Sequence, residues 1–139
     1  MLDDDVPRIL EIERMSFTSP WSEAAFLQEI HKHYAFSRVA EFRHEVIGYI
    51  CLNYLFDEGH ILNLSVDPDF RRQGVATVLM KDALHDLKEK GCRFFYLEVR
   101  VSNLAAKTFY ERFGFRVVAF RKRYYISPEE DAALMTLGT

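Results

Sequence analysis

The chain has 139 residues, 49% of them apolar and 28% charged, with a formal net charge of -3. Twelve Phe, seven Tyr and one Trp can fill a hydrophobic core, so the composition excludes a disordered chain. No apolar run approaches the roughly 20 residues of a membrane-spanning helix. Three of the first five residues are Asp, where a secretory signal would be basic and then apolar, so we expect no such signal. Cys51 and Cys92 are too far apart to indicate a disulfide scaffold or a zinc site, which favours a reducing, cytoplasmic environment. We therefore expect one domain, residues 1–139, without membrane contact.

Charge is distributed unevenly along the chain. Residues 1–60 carry 11 acidic and 5 basic side chains, whereas residues 61–139 carry 10 acidic and 13 basic ones. A basic half can hold an anionic ligand while an acidic half receives a cationic one. Ordinary solvated surfaces show similar asymmetry, so charge alone leaves both interpretations open.

Two helices are predicted first, one capped by Asp5 and one by Ser22. Apolar residues follow each cap at helical spacing, namely Ile9, Leu10 and Ile12, and then Phe26, Leu27 and Ile30. Strands are predicted over 36–42, 46–56 and 60–66. The first two strands are joined by the short polar link 43–45, which predicts a hairpin.

The second half alternates helices with strands. A helix is predicted from Gly74 to Lys90, with Gly91 as its left-handed C-terminal cap. A strand over 94–99 leads to a helix that is capped by Ser102 or Asn103 and runs through residue 113. Two strands over 115–125 and 132–137 close the chain. Two helices, a hairpin and then β-α-β-α-β-β predict an α/β fold with a mixed sheet.

The turn at Arg71-Arg72-Gln73-Gly74 is suited to phosphate. A strand runs into this basic turn, and the helix that follows begins with unpaired N–H groups that carry partial positive charge. Gly74 lets the backbone approach a ligand closely, and Ala76 is small. The segment has neither the Gly-Lys-Ser/Thr of a P-loop nor the Gly-x-Gly-x-x-Gly of a dinucleotide site. A charged surface turn before an amphipathic helix is the alternative.

A second group of polar residues follows the next strand. Strand alternation places Glu98 on one face with Tyr96 and Arg100. Asn103 and Tyr110 are seven residues apart, or two turns of one helix, so a single helix face can offer an amide and a phenol to one ligand. The alternatives are that Asn103 is a helix cap and Tyr110 a core aromatic.

The segment Arg71-Arg72-Gln73-Gly74-Val75-Ala76 resembles the Arg/Gln-x-x-Gly-x-Gly/Ala motif of the GCN5-related N-acetyltransferase (GNAT) family. The resemblance implies a GNAT fold with a mixed, mostly antiparallel central sheet and helices on both faces. It also implies acetyl-CoA as co-substrate and no metal. The positions that match the pyrophosphate-binding motif are Arg72, Gln73, Gly74, Val75, Ala76 and Thr77. Those that match the backbone beside the pantetheine arm are Leu64, Ser65 and Val66.

The pattern Asn103-x-x-Ala106-x-x-x-Tyr110-x-x-x-Gly114-Phe115 is similar to the family's second cofactor motif, which implies that Asn103 hydrogen-bonds the coenzyme. Family members generally open with a strand before the first helix. Only two residues precede the acidic run here, so we expect that strand to be missing or to begin upstream.

More narrowly, Phe17-x-x-Pro20-Trp21-Ser22 and Leu97-Glu98-Val99-Arg100 are similar to the wording of the RimI-type ribosomal-protein alanine N-acetyltransferases. In that subgroup the glutamate at the Glu98 position accepts a proton and the tyrosine at the Tyr110 position donates one. The resemblance implies direct transfer of acetyl from acetyl-CoA to a protein's N-terminal amine, with the N-terminal alanine of a small-subunit ribosomal protein as the expected acceptor.

Two alternatives to this activity are open. The acceptor can be a small amine, a polyamine or a lysine side chain, because the cofactor motifs are the same in both cases. A non-catalytic coenzyme-binding or ribosome-associated module is the second. Residues 121–125, Arg-Lys-Arg-Tyr-Tyr, mix basic and aromatic side chains as nucleic-acid surfaces do. A cationic stripe on a late strand explains them more simply, so we expect no direct nucleic-acid contact.

Overall fold

The computed structural model describes residues 1–138, and Thr139, the last residue of the predicted domain, lies outside the described residues. Two short 3-10 turns occupy Asp3–Asp5 and Pro68–Phe70. The helices are α1 (Val6–Ser16), α2 (Glu23–Ile30), α3 (Val75–Glu89) and α4 (Leu104–Glu111). The strands are β1 (Ala35–Phe42), β2 (Glu45–Leu55), β3 (Glu58–Val66), β4 (Phe94–Arg100), β5 (Arg116–Ile126) and β6 (Glu129–Gly138). This succession confirms the predicted α/β fold.

The six strands form one sheet in the order β1-β2-β3-β4-β6-β5. Neighbouring strands are antiparallel except for β3 and β4, which run parallel. Their register pairs Glu58–Phe94, Gly59–Phe95 and His60–Tyr96, and it stops there although both strands continue. The mixed, mostly antiparallel sheet is therefore confirmed, and it has a split at its centre.

Helices cover both faces of the sheet. The buried face of α3 packs with the apolar side chains of β2, β4 and β6, and this larger core contains Ile50, Leu79, Met80, Leu97 and Met135. On the other face α1 and α2 pack against β2 around Ile9, Ile12, Phe26 and Tyr49. Burying each of these side chains stabilises the fold by about 1.5–3 kcal/mol. The α1 face predicted from helical spacing is the buried one, and α3 also buries a single face.

The helix ends follow the predicted caps with two exceptions. The Ser22 Oγ accepts the Ala25 N–H at 3.1 Å, as predicted, and Gly91 has the left-handed φ of 100°. Asp5 does not cap α1, because its carboxylate accepts the Leu2 N–H at 2.7 Å and its own backbone is already helical. Helix α4 ends at Glu111, two residues earlier than predicted.

The N-terminus enters the fold directly at a helix. Within residues 1–138 no strand precedes α1, and the Met1 amino group donates to the Ser37 carbonyl of β1 at 3.2 Å. None of the described helices has the length and apolar character needed to cross a membrane.

Candidate active site

The phosphate-binding turn lies between the end of β3 and the start of α3. Arg72 and Gly74 both adopt left-handed backbone, with φ of 63° and 83°. This conformation costs a non-glycine residue roughly 1–2 kcal/mol, a cost that Arg72 bears in this turn. A Cβ on Gly74 would meet no atom within 4 Å, so its φ rather than space requires glycine. Gly74 also caps α3 without a side chain, which leaves the first N–H groups of the helix available to an anion.

A cavity of about 810 Å³ opens beside this turn. It is lined by eight of the predicted cofactor-binding residues, namely Leu64, Ser65, Val66, Arg72, Gly74, Val75, Ala76 and Thr77. Arg112, which sequence reasoning did not select, also lines it, as does Arg71, which belonged to the predicted turn but not to the predicted cofactor-binding positions. Cations and oriented N–H groups in one concave site fit a polyphosphate ligand.

Two predicted cofactor residues lie outside this cavity. The Gln73 Nε2 donates to the Asp69 carbonyl at 3.4 Å. Asn103 caps α4, where its Oδ1 accepts the Ala106 N–H at 3.1 Å, so its Nδ2 is the group it can still offer a ligand. Asn103 instead lines a neighbouring cavity, and the structure selects it over Ser102 as the cap.

That neighbouring cavity, of about 340 Å³, occupies the split between β3 and β4. Residues 61–64 of β3 and residues 97–100 of β4 form its walls. Both cavities are lined by Phe17, Leu64, Ala106 and Tyr110, so they adjoin at Tyr110. A ligand bound at the phosphate turn can therefore extend into the split and reach Glu98.

Glu98 is an ionised carboxylate within this cavity. His60 Nε2 lies 2.7 Å from Glu98 Oε2, and only 8% of the Glu98 side chain is exposed. The hydrogen bond from His60 lowers the pKa of Glu98 and outweighs the opposing effect of burial, with a smaller contribution from the charge of Arg121. Glu98 thus keeps its charge at neutral pH and can accept a proton.

His60 was missed by sequence reasoning. The parallel register pairs His60 with Tyr96, and the two rings stack at 4.2 Å with an interplanar angle of 12°. This stacking orients the imidazole toward Glu98, two residues further along β4. A histidine on a strand gives no local signal of this contact, which depends on how β3 and β4 pair.

Two phenols also line the cavity. Burial raises the pKa of Tyr110, and the charge of Tyr125 acts in the same direction, so the Tyr110 phenol stays protonated and can donate. Burial, helped by Tyr124 and Glu98, raises the pKa of Tyr125 to about 12. Tyr125 was not among the predicted site residues. Its ring lies 4.3 Å from the Arg100 guanidinium.

A turn and a loop meet over the cavity. Arg100 donates to the Pro128 carbonyl at 2.8 Å and to the Ser127 carbonyl at 3.2 Å, which fixes the β5–β6 turn. Ser19, in the loop between α1 and α2, donates its hydroxyl hydrogen bond to the same Ser127 carbonyl.

The cavity as a whole holds a proton acceptor and a proton donor in a restricted volume, as acyl transfer to an amine requires. Within residues 1–138 no cluster of three His, Cys, Asp or Glu side chains could hold a metal ion.

Comparison with known proteins agrees with this geometry. Residues 6–115 match the model of the Acetyltransferase (GNAT) family. A Bacillus subtilis relative, provisionally named a ribosomal protein bS18-alanine N-acetyltransferase, is 37% identical over 133 residues, which are 95% of this chain and 88% of the relative. The Escherichia coli K12 ribosomal protein bS18-alanine N-acetyltransferase is 32% identical over 135 residues, covering 96% of this chain and 90% of that protein.

Structural comparison gives the same relationship. The crystal structure of the ribosomal-protein-S18-alanine N-acetyltransferase from Escherichia coli matches with a TM-score of 0.92 at 30% identity. The match covers 99% of this chain and 90% of that one. Because sequence and fold both agree over nearly the whole length, the chain belongs to the GNAT family of acetyltransferases.

Proposed function

We propose that the protein transfers the acetyl group of acetyl-CoA to the N-terminal α-amino group of a protein, the acceptor being the N-terminal alanine of a small-subunit ribosomal protein. The observation that carries the proposal is the cavity in the β3–β4 split, where Glu98 and Tyr110 are reached from the polyphosphate cavity. The names of the relatives support the acceptor. The activity is assigned to one domain, residues 1–139, acting in the cytoplasm, in keeping with its two free, buried cysteines.

The chain's own groups account for coenzyme binding. The N–H groups of Arg72 and of residues 74–77 bind the pyrophosphate, and Arg71 and Arg112 add charge beside it. The backbone of Leu64–Val66 lines the polyphosphate cavity and reaches the split at Leu64, so it can pair with the pantetheine arm. The Asn103 Nδ2 supplies a further donor. Acetyl-CoA contributes a thioester carbonyl at the end of that arm.

The two candidate catalytic residues divide the proton transfers. An α-amine has a pKa of about 8, so most of it is protonated at neutral pH and cannot attack. Glu98 takes the proton, directly or through a water, and the amine forms the new C–N bond as the C–S bond breaks. Tyr110 gives its proton to the departing sulfur. The nitrogen loses two protons as the ammonium becomes the amide. Glu98 passes the first to solvent, and the second replaces the proton that Tyr110 gave to the sulfur, so each turnover releases one proton.

Replacing His60 with Phe is expected to shift the pH profile. Phe can still stack on Tyr96, but it removes the strongest effect that lowers the Glu98 pKa and leaves the opposing effect of burial. The Glu98 pKa therefore rises. As a result, the acidic limb of the profile of kcat against pH moves to a higher pH than in the wild type. His85→Phe, on the exposed face of α3, is the matched control and should leave the profile unchanged. Coincident acidic limbs for His60→Phe and wild type would contradict the role of His60.

The acceptor is tested with two peptides and acetyl-CoA, with products read by mass. One peptide has a free N-terminal alanine followed by an Arg-rich sequence, and the other has a blocked N-terminus and an internal lysine. We expect acetylation of the free-terminus peptide alone. Acetylation of the lysine peptide would instead support a side-chain acceptor. Transfer to neither, with coenzyme binding retained, would contradict the proposed acceptor.

A further inference from the structure

A buried carboxylate outside the predicted site lines the same cavity as Glu98. Glu13 of α1 is 1% exposed, and its Oε2 accepts the Trp21 N–H at 2.8 Å. Its Oε1 accepts the Asn63 Nδ2 at 2.8 Å and the Tyr49 hydroxyl. Burying a carboxylate is costly unless donors satisfy it, so these three bonds define what Glu13 does in the fold.

Ring contacts complete a closed circuit around Glu13. The Trp21 ring lies 5.0 Å from Phe26, and Phe26 meets Tyr49 edge-on at 5.7 Å. The Tyr49 hydroxyl returns to Glu13. Burial, together with the charge of Glu13, raises the pKa of Tyr49, so this phenol remains a donor. Trp21 is consequently fixed twice, through its backbone N–H by Glu13 and through its ring by Phe26.

This circuit determines the position of one cavity wall. We define the entrance loop as residues 17–21, between α1 and α2. Four of its residues, Phe17, Thr18, Ser19 and Trp21, line the cavity that contains Glu98, whereas only Phe17 also lines the polyphosphate cavity. A change in the position of this loop therefore alters the cavity that receives the acceptor more than the cavity that holds the coenzyme.

We propose that Glu13 is a positioning residue that holds the entrance loop against the cavity and thereby sets which N-terminal residues are accepted. The inference rests on the proposed function. Because its two oxygens already take three donors from the protein, Glu13 acts on acceptor binding and not on proton transfer. Its loss affects KM for the peptide and the discrimination between first residues, and leaves kcat near the wild-type value.

Glu13→Gln tests this with little change of shape. An amide has one acceptor oxygen, so either the Trp21 N–H or the Tyr49 and Asn63 donors then face an NH₂ group. Since a hydrogen bond to a charged group is lost, we expect the peptide KM to rise roughly tenfold or more. The KM for acetyl-CoA and kcat should stay within about twofold of wild type. The preference for an Ala-first over a Leu-first peptide, measured as a ratio of kcat/KM, should fall.

Tyr49→Phe is the matched control, because it removes one donor to Glu13 and keeps the bond to the entrance loop. It should change the peptide KM much less than Glu13→Gln. Equal effects of the two variants would show a general packing defect and overturn the inference. A fall in kcat for Glu13→Gln at unchanged peptide KM would also overturn it.

Trp21→Ala removes the ring contact with Phe26 and leaves the buried carboxylate in place. It is the variant to use for the same test if Glu13→Gln does not fold. It should likewise raise the peptide KM and weaken the preference for alanine. If the wild-type protein acetylates no peptide, the proposed function itself fails. If the wild type is active and both variants keep its peptide KM and preference, this inference alone fails.

Discussion

Glu98→Gln is expected to lower kcat at neutral pH by about 10²–10⁴-fold, the usual contribution of a positioned proton acceptor. The amide keeps the size of the side chain but cannot take the ammonium proton. Coenzyme affinity, measured by calorimetry, should stay close to wild type because Glu98 lines the split and not the polyphosphate cavity. The deficit should narrow as pH rises above the amine pKa of about 8, since the acceptor then arrives deprotonated.

The exposed Glu129, paired with Arg123 near the β5–β6 turn, provides the control. Glu129→Gln removes the same charge close to the site without touching the cavity, so its kcat should be that of wild type. A Glu98→Gln enzyme whose kcat lies within twofold of wild type would remove Glu98 from the mechanism. A deficit that stays constant across the whole pH range would point to misplacement of the acceptor instead of lost proton transfer.

Tyr110→Phe is expected to lower kcat by a smaller amount, on the order of 10–100-fold, because a thiol of pKa near 8.5 leaves more readily than a stronger base. The Tyr110 phenol lines both cavities and so lies at their junction. The Phe115 ring contact at 5.9 Å is kept, so the thermal midpoint should change little. Single-turnover kinetics with bound acetyl-CoA measure the chemical step directly.

Tyr125→Phe must be measured beside it, because Tyr125 is a second phenol in the same cavity. If Tyr110 is the donor, Tyr125→Phe retains most of kcat and chiefly alters peptide binding. A larger loss of kcat in Tyr125→Phe than in Tyr110→Phe would reassign the proton to Tyr125.

Local features of the fold were predictable from the sequence because they depend on neighbours in the chain. Ser22 and Gly91 mark their helix ends through backbone chemistry, and the α3 core face follows from helical spacing. The order of the sheet was not predictable in this way. Strand β6 inserts between β4 and β5, and this placement depends on long-range pairing that no local pattern encodes.

The site divides in the same manner. The phosphate turn could be found because its residues are contiguous, and strand alternation placed Glu98 with Tyr96 and Arg100. His60 was missed because only the β3–β4 register brings it to Glu98. Glu13 did leave a signal, since it follows Ile9 by four residues and so falls on the buried face of α1. A charged residue on an apolar helix face indicates a buried polar contact.

The split between β3 and β4 makes the stability of the fold depend on the concentration of the ligand. Beyond His60 and Tyr96 the edges of these two strands turn toward a cavity and not toward each other, so the centre of the sheet holds fewer cross-strand bonds than its length allows. A ligand arm lying there can pair with these strand edges in place of a neighbouring strand. By mass action, a ligand at a hundredfold excess over its Kd adds about 2.7 kcal/mol to the free energy of unfolding. The fraction of the enzyme that is folded therefore depends on the acetyl-CoA concentration in the cell as well as on the amino-acid sequence.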